Sequence, residues 1–176
     1  AFSVIMVYFT ISPYLFEHHL HLTVTHYGYI SCGLVLTMMV TRFTNLQCLK
    51  RYPVATLIRL GFFIMLSGSI LLLLTNSVTH ETLWSVVIPT AVILSGISFV
   101  FGNVMTQALA ECRSMAGTAG ALYSSVQVLS ASIMSFIASK ISSDSTLPMA
   151  LLFVAITFSA LLIIHKFQSK QQLSSD

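Results

Sequence analysis

Long apolar runs separated by short polar segments make up most of this chain, and none of them alternates strictly between apolar and polar positions. A helix that crosses a bilayer needs about 20 mainly apolar residues, whereas the strands of a lipid-facing barrel alternate over about 10 residues. The pattern therefore predicts an all-α integral membrane protein with six transmembrane helices. The predicted spans are residues 1–16, 28–41, 54–75, 83–110, 116–139 and 147–165 of a domain over residues 1–166, and residues 167–176 form a polar tail.

The composition supports a lipid environment for these runs. The 176 residues are 56% hydrophobic and 7% charged, with a mean hydropathy of +0.89, whereas an ordinary soluble domain is about 25% charged. So few charged residues could not cover the surface of a water-soluble domain of this size. The net charge of +3 is small, so we expect membrane lipid and not nucleic acid as a partner. The chain starts with Ala1 inside an apolar run, without a basic leader, so we expect it to begin within a longer product.

Basic residues concentrate on one side of the predicted membrane. Arg42, Lys50 and Arg51 form a basic loop between the second and third spans, and only Lys140 falls on the opposite side. The seven basic residues that share a side are Arg42, Lys50, Arg51, Arg59, Arg113, Lys166 and Lys170. Loops rich in Lys and Arg stay in the cytoplasm, so six spans predict that both termini are cytoplasmic.

Polar residues follow one face of the fourth predicted helix, and small or polar residues follow one face of the fifth. Positions 103 and 107 lie about one turn apart, and positions 120, 124, 127, 131 and 135 fall within one sector at 3.6 residues per turn. Gln127 lies about 16 Å from the start of its helix, close to the midplane where secondary transporters bind substrates. The substrate-cavity candidates are Asn103, Gln107, Ser124, Gln127 and Ser135. Such side chains also form polar contacts between helices, and the pattern leaves both roles open.

Small residues open the fifth predicted helix. Residues 116–121 read AGTAGA, and glycine and alanine allow two membrane helices to approach backbone to backbone. The run predicts that Gly117, Gly120 and Ala121 pack against another helix.

The sequence carries no recognisable catalytic motif. GxSxG, HExxH, P-loop and CxxC patterns are all missing, so no enzymatic activity and no cofactor are expected. The segment with His18, His19, His21 and His26 could in principle bind Zn or Cu, but a plain external loop is the favoured interpretation, and no metal is expected. Glu17 and Glu111 lie at the ends of spans, so no carboxylate lies deep in the predicted membrane.

Several short pieces, taken in order, carry a family resemblance. They are Ser12-Pro13-Tyr14, Tyr27-Gly28, Asn45 with Arg51, Gly61, Asn103 and the run AGTAGAL at residues 116–122. On these residues the chain resembles the C-terminal half, helices seven to twelve, of a major facilitator superfamily transporter. Within that superfamily it is most similar to the Bcr/CflA drug-resistance antiporters. The first six helices have no counterpart here, and Tyr52-Pro53 stands where the family has Gly after its basic pair.

The resemblance implies a half or fragment of a multidrug efflux transporter in the bacterial inner membrane. Its partners would be an N-terminal six-helix half, in the same longer chain or separate, and a drug or small metabolite exchanged for protons. The family's coupling carboxylates usually lie in the N-terminal half, which agrees with the lack of a deep acid here. The alternative is a non-transporting or truncated six-helix module that assembles through its small-residue helix faces.

Overall fold

The described part of the chain is almost entirely helical. A computed structural model describes residues 2–14, 23–78, 82–111, 115–140 and 150–162, and the predicted all-α class is confirmed there. The six helices in these ranges are α1 (Phe2–Tyr14), α2 (Val24–Cys48), α3 (Val54–Val78), α4 (Leu83–Glu111), α5 (Ala116–Lys140) and α6 (Ala150–Leu162).

Three of these helices are long and apolar enough to cross a membrane by length and composition. The crossing segments are Val54–Thr75, Leu83–Ala110 and Gly117–Lys140. The helices α1 and α6 are apolar but shorter, with apolar segments at Phe2–Ser12 and Ala150–Leu162. The helix α2 is 25 residues long but carries more polar residues, among them Arg42 and Asn45. The described chain is therefore an integral membrane protein in which three of the six helices meet the criteria for a span.

Helix α2 is longer than the span predicted at residues 28–41. It starts at Val24 and ends at Cys48, so most of the predicted basic loop is helical, and only a turn of residues 49–52 remains. The polar groups of this extension form hydrogen bonds, which stabilise it. The Thr44 hydroxyl donates to the Val40 carbonyl at 3.0 Å, and Asn45 pairs with a side chain on α4. The Leu49 N–H closes the helix on the Asn45 carbonyl at 2.9 Å.

The closest helix approach joins α3 to α4 through three glycines. A Cβ added at Gly96 would lie 2.5 Å from the Gly61 carbonyl oxygen and 2.6 Å from the Met65 backbone nitrogen. A Cβ at Gly61 would lie 2.8 Å from the Phe99 Cβ, and one at Gly68 would lie 2.9 Å from the Ile93 nitrogen. Only hydrogen fits at these positions, so the two backbones touch directly and gain dispersion contacts along the whole crossing.

The buried core lies among α1, α3, α4 and α6, while α5 remains at the edge. One cluster contains the completely buried side chains Val7, Met65, Ile97 and Phe153, one from each of these four helices. The helices α2 and α5 each add a single buried residue to it, Leu34 and Ala138. In contrast, only 11% of the crossing segment of α5 is buried, and α5 contacts mainly α1. The polar candidates on α5 therefore lie on the least covered of the three crossing helices.

Candidate functional site

Asn103 is buried in a side-chain pair between α4 and α2. The Asn45 Nδ2 donates to the Asn103 Oδ1 at 3.2 Å, and the Asn103 Nδ2 donates back to the Asn45 Oδ1 at 3.0 Å. Each amide thereby satisfies one donor and one acceptor of the other. Both side chains are buried, with at most 5% of either residue exposed. In this structure Asn103 fastens two helices together and does not contribute to an open polar surface.

Three other cavity candidates lie open on α4 and α5. Gln107 and Ser124 are exposed, and Gln127 is half-buried. None of the three side chains forms a hydrogen bond with another residue that the structure describes. Unpaired amides and hydroxyls on membrane helices are costly against lipid, so these three side chains require a polar partner or water.

Ser135 is separated from this group by its contact with α1. The Thr10 hydroxyl donates to the Ser135 hydroxyl at 3.2 Å, and Ser135 is half-buried. Ala131 and Ala138, one turn on either side of Ser135, are buried on the same face of α5. The C-terminal part of the predicted polar stripe therefore packs against α1, and its N-terminal part remains uncovered.

The small residues at the start of α5 are not in tight contact within the described chain. Nothing lies within 4 Å of a Cβ added at Gly117, and one at Gly120 would meet only the Leu109 Cδ2, at an ordinary 3.7 Å. Ala121 is exposed. Packing at Gly117, Gly120 and Ala121 stays a prediction, and its partner surface would lie outside the residues described.

The three basic residues predicted to share one loop have separate surroundings. The Arg42 guanidinium lies 5.7 Å from the centre of the Phe101 ring, in a cation–π contact that joins α2 to α4. Lys50 and Arg51 lie beyond the end of α2 and are exposed. They line an open groove of about 400 Å³ that the sequence pattern did not reveal, because the groove depends on how the turn folds back beside α2.

The sequence pattern also did not reveal a partly buried hydroxyl cluster between α1 and α2. The Ser12 and Tyr27 hydroxyls are 3.0 Å apart and share a hydrogen bond. Tyr8, one turn before Ser12, is 3% exposed, and its hydroxyl has no hydrogen-bond partner among the described residues. The available signal was a polar pair at positions 8 and 12 of a mainly apolar helix, since residues four apart share a face.

No metal centre is found among the residues that the structure describes. They contain no group of three or more His, Cys, Asp and Glu side chains that could hold an ion. His26 forms a local contact, with its Nδ1 2.7 Å from the Thr23 hydroxyl. Glu17, His18, His19 and His21 lie outside the described residues, so the loop interpretation stays a prediction.

One curated protein is similar in sequence to part of the chain. It is the bicyclomycin resistance protein homolog of Haemophilus influenzae, 27% identical over 126 residues, which are 72% of this chain. The matched part spans 31% of that relative's own length. No family model matches the chain, and no solved structure matches it.

Proposed function

We propose that the chain forms one six-helix half of a drug-efflux transporter of the major facilitator type, close to the Bcr/CflA antiporters. The observation that carries the proposal is the similarity to a bicyclomycin resistance protein homolog about three times as long as the matched segment. In this proposal all six helices cross the bacterial inner membrane, both ends are cytoplasmic, and a second six-helix half completes the transporter. The substrate would be a drug or a small metabolite.

The open polar side chains on α4 and α5 support a cavity shared with that second half. Gln107, Ser124 and Gln127 have no described hydrogen-bond partner. Gln107 lies on α4, and the other two lie on α5, whose crossing segment is 11% buried. Against lipid these groups would lose hydrogen bonds to water and gain none. Facing a second bundle across a hydrated cavity, they would stay solvated and could bind polar groups of a substrate.

Proton coupling is proposed to depend on the second half. The five acidic residues of the chain are Glu17, Glu81, Glu111, Asp144 and Asp176, and all of them lie outside the predicted spans. A coupling group must change its protonation inside the membrane, where burial raises the pKa of a carboxyl group. We therefore infer that this chain supplies substrate contacts and that its partner supplies the coupling carboxylate.

The open face of α5 also favours a second candidate function. The free space around Gly117 would accommodate another helix, as expected of a module that assembles through small residues without transporting anything. Both candidates need a partner bundle. They differ in whether the polar residues of α4 and α5 contact a substrate.

Replacing Gln127 with alanine is expected to change the substrate profile of the assembled transporter. Losing one hydrogen bond to a polar substrate should lower its efflux rate by about two- to tenfold, with no change for apolar dyes. Efflux of a matched set of polar and apolar fluorescent dyes is measured in vesicles that contain the chain and an N-terminal half.

Ser125→Ala serves as the control for this experiment. Ser125 is exposed on a different face of α5, and its hydroxyl donates to the Ala121 carbonyl at 2.9 Å, so its loss should leave the dye profile unchanged. An equal decrease for every dye in Gln127→Ala, in step with a decrease in expression, would instead support the packing module.

A further inference from the structure

The groove at the end of α2 is built from polar and basic side chains. It has a volume of about 400 Å³ and is lined by Thr44, Gln47, Cys48, Lys50, Arg51 and Tyr52. The lining contains two cations and no acidic residue. A ligand with negative charge would therefore meet complementary charge there, without a competing carboxylate.

The backbone donors of the turn are already used within the turn itself. The Lys50 N–H donates to the Gln47 carbonyl at 3.2 Å, and the Arg51 and Tyr52 N–H groups donate to the Cys48 carbonyl at 3.0 and 2.9 Å. The Thr44 hydroxyl donates to the Val40 carbonyl. Recognition in the groove must therefore come from the Lys50 ammonium and the Arg51 guanidinium, assisted by the Gln47 amide and the Tyr52 hydroxyl.

An exposed apolar strip leads along α2 to this groove. Leu36, Val40 and Phe43 are each at least 60% exposed, and with Gln47 they follow the spacing of one helical face. At the other end, Tyr52 is exposed beside the start of the crossing segment at Val54, a common position for an aromatic ring at a membrane surface. A lipid whose headgroup occupied the groove would therefore have the exposed apolar strip of α2 beside it to hold its acyl chains.

We propose that this groove binds the phosphate headgroup of an anionic phospholipid. Lys50 and Arg51 contact the phosphate, Arg51 through two parallel N–H groups and Lys50 as a point charge. The acyl chains lie over Leu36, Val40 and Phe43. The bound lipid holds the α2–α3 turn at the membrane surface, whatever substrate the protein transports.

Native mass spectrometry of the 176-residue chain in a non-ionic detergent tests this site. Phosphatidylglycerol should bind more tightly than phosphatidylcholine of the same acyl length. Lys50→Gln and Arg51→Gln should each weaken phosphatidylglycerol binding about fivefold, and the double variant about thirtyfold, the effect of one and two cations at an anionic membrane surface. Lys50→Arg keeps the charge and should retain binding.

Lys140→Gln is the matched control, because it also removes one positive charge. Lys140 lies at the end of α5, where its ammonium is 5.6 Å from the centre of the Phe136 ring, and its loss should leave phosphatidylglycerol binding unchanged. Equal binding of the two lipids, or an equal loss in Lys140→Gln, would overturn the proposal. Displacement of the lipid by an equal concentration of glycerol phosphate would also overturn it, since the groove would then bind phosphate from any source.

Discussion

Replacing Gly96 with alanine is expected to lower the free energy of unfolding by roughly 2–3 kcal/mol, toward the upper end of the usual cost of overpacking. The added methyl group would lie within 2.6 Å of both the Gly61 carbonyl oxygen and the Met65 nitrogen. Both are backbone atoms, so no side-chain rotation relieves the clash, and α3 must move away from α4. The separation weakens the most extensive helix–helix contact in the described chain.

Unfolding of the chain in mixed micelles, titrated with a denaturing detergent, provides the measurement. Gly102→Ala is the control on the same helix, because nothing lies within 4 Å of a Cβ at Gly102. The control should unfold at the wild-type detergent fraction or slightly above it, since alanine favours helix over glycine. Gly61→Ala should lower the free energy of unfolding by an amount similar to that of Gly96→Ala. Wild-type stability of Gly96→Ala would mean that α3 and α4 do not cross as described.

Replacing Asn103 with leucine should destabilise the chain by about 1–2 kcal/mol, the range of a buried polar contact between membrane helices. The change removes both hydrogen bonds between α4 and α2, at 3.2 and 3.0 Å, and leaves the buried Asn45 amide without a partner. Most of the cost therefore comes from the orphaned amide and not from the lost pair. Asn45→Leu should destabilise the chain by a similar amount, because it leaves the buried Asn103 amide without a partner.

The double variant Asn45→Leu with Asn103→Leu separates pairing from packing. Removing both amides leaves no buried group unsatisfied, so the double variant should be more stable than either single variant. The same detergent titration gives the coupling free energy from the four proteins. Additive losses would show that the two amides act independently, and the pair would then not fasten α2 to α4.

The sequence predicted most of the helices because lipid-length apolar runs carry a strong signal. The third, fourth and fifth predicted spans begin at residues 54, 83 and 116, which are also the first residues of α3, α4 and α5. Pro53 precedes α3, and a proline there loses no helical hydrogen bond. Such signals depend only on neighbouring residues, so one amino-acid sequence is enough to detect them.

The end of α2 could not be predicted, because its stability depends on another helix. Hydropathy decreases at Arg42 and Asn45, which indicated a loop. In the structure, Arg42 lies against the Phe101 ring, and Asn45 pairs with Asn103. Both partners are on α4, more than fifty residues away in the sequence, and hydropathy measures compatibility with lipid, not the presence of such a partner.

The glycine contacts illustrate the same limit. The dense run at residues 116–121 indicated close packing, yet the tight approach in the described chain is at Gly61, Gly68 and Gly96, which are widely separated. Composition shows that a helix can be approached closely. The register between two helices decides which glycine is approached, and that register is set by the side chains of the whole core. For Asn103, the sequence left open both a cavity and a helix contact, and the structure favours the contact.

Dye efflux from vesicles containing this chain alone, compared with vesicles that also contain an N-terminal six-helix half, tests the half-transporter proposal. The proposal predicts no proton-driven efflux by the chain alone, because the polar side chains of α4 and α5 would face lipid and no carboxylate lies within a predicted span. Adding the second half should produce efflux that a protonophore abolishes. Robust efflux by the 176-residue chain alone, equally sensitive to the protonophore, would contradict the proposal and show that the chain is a complete carrier.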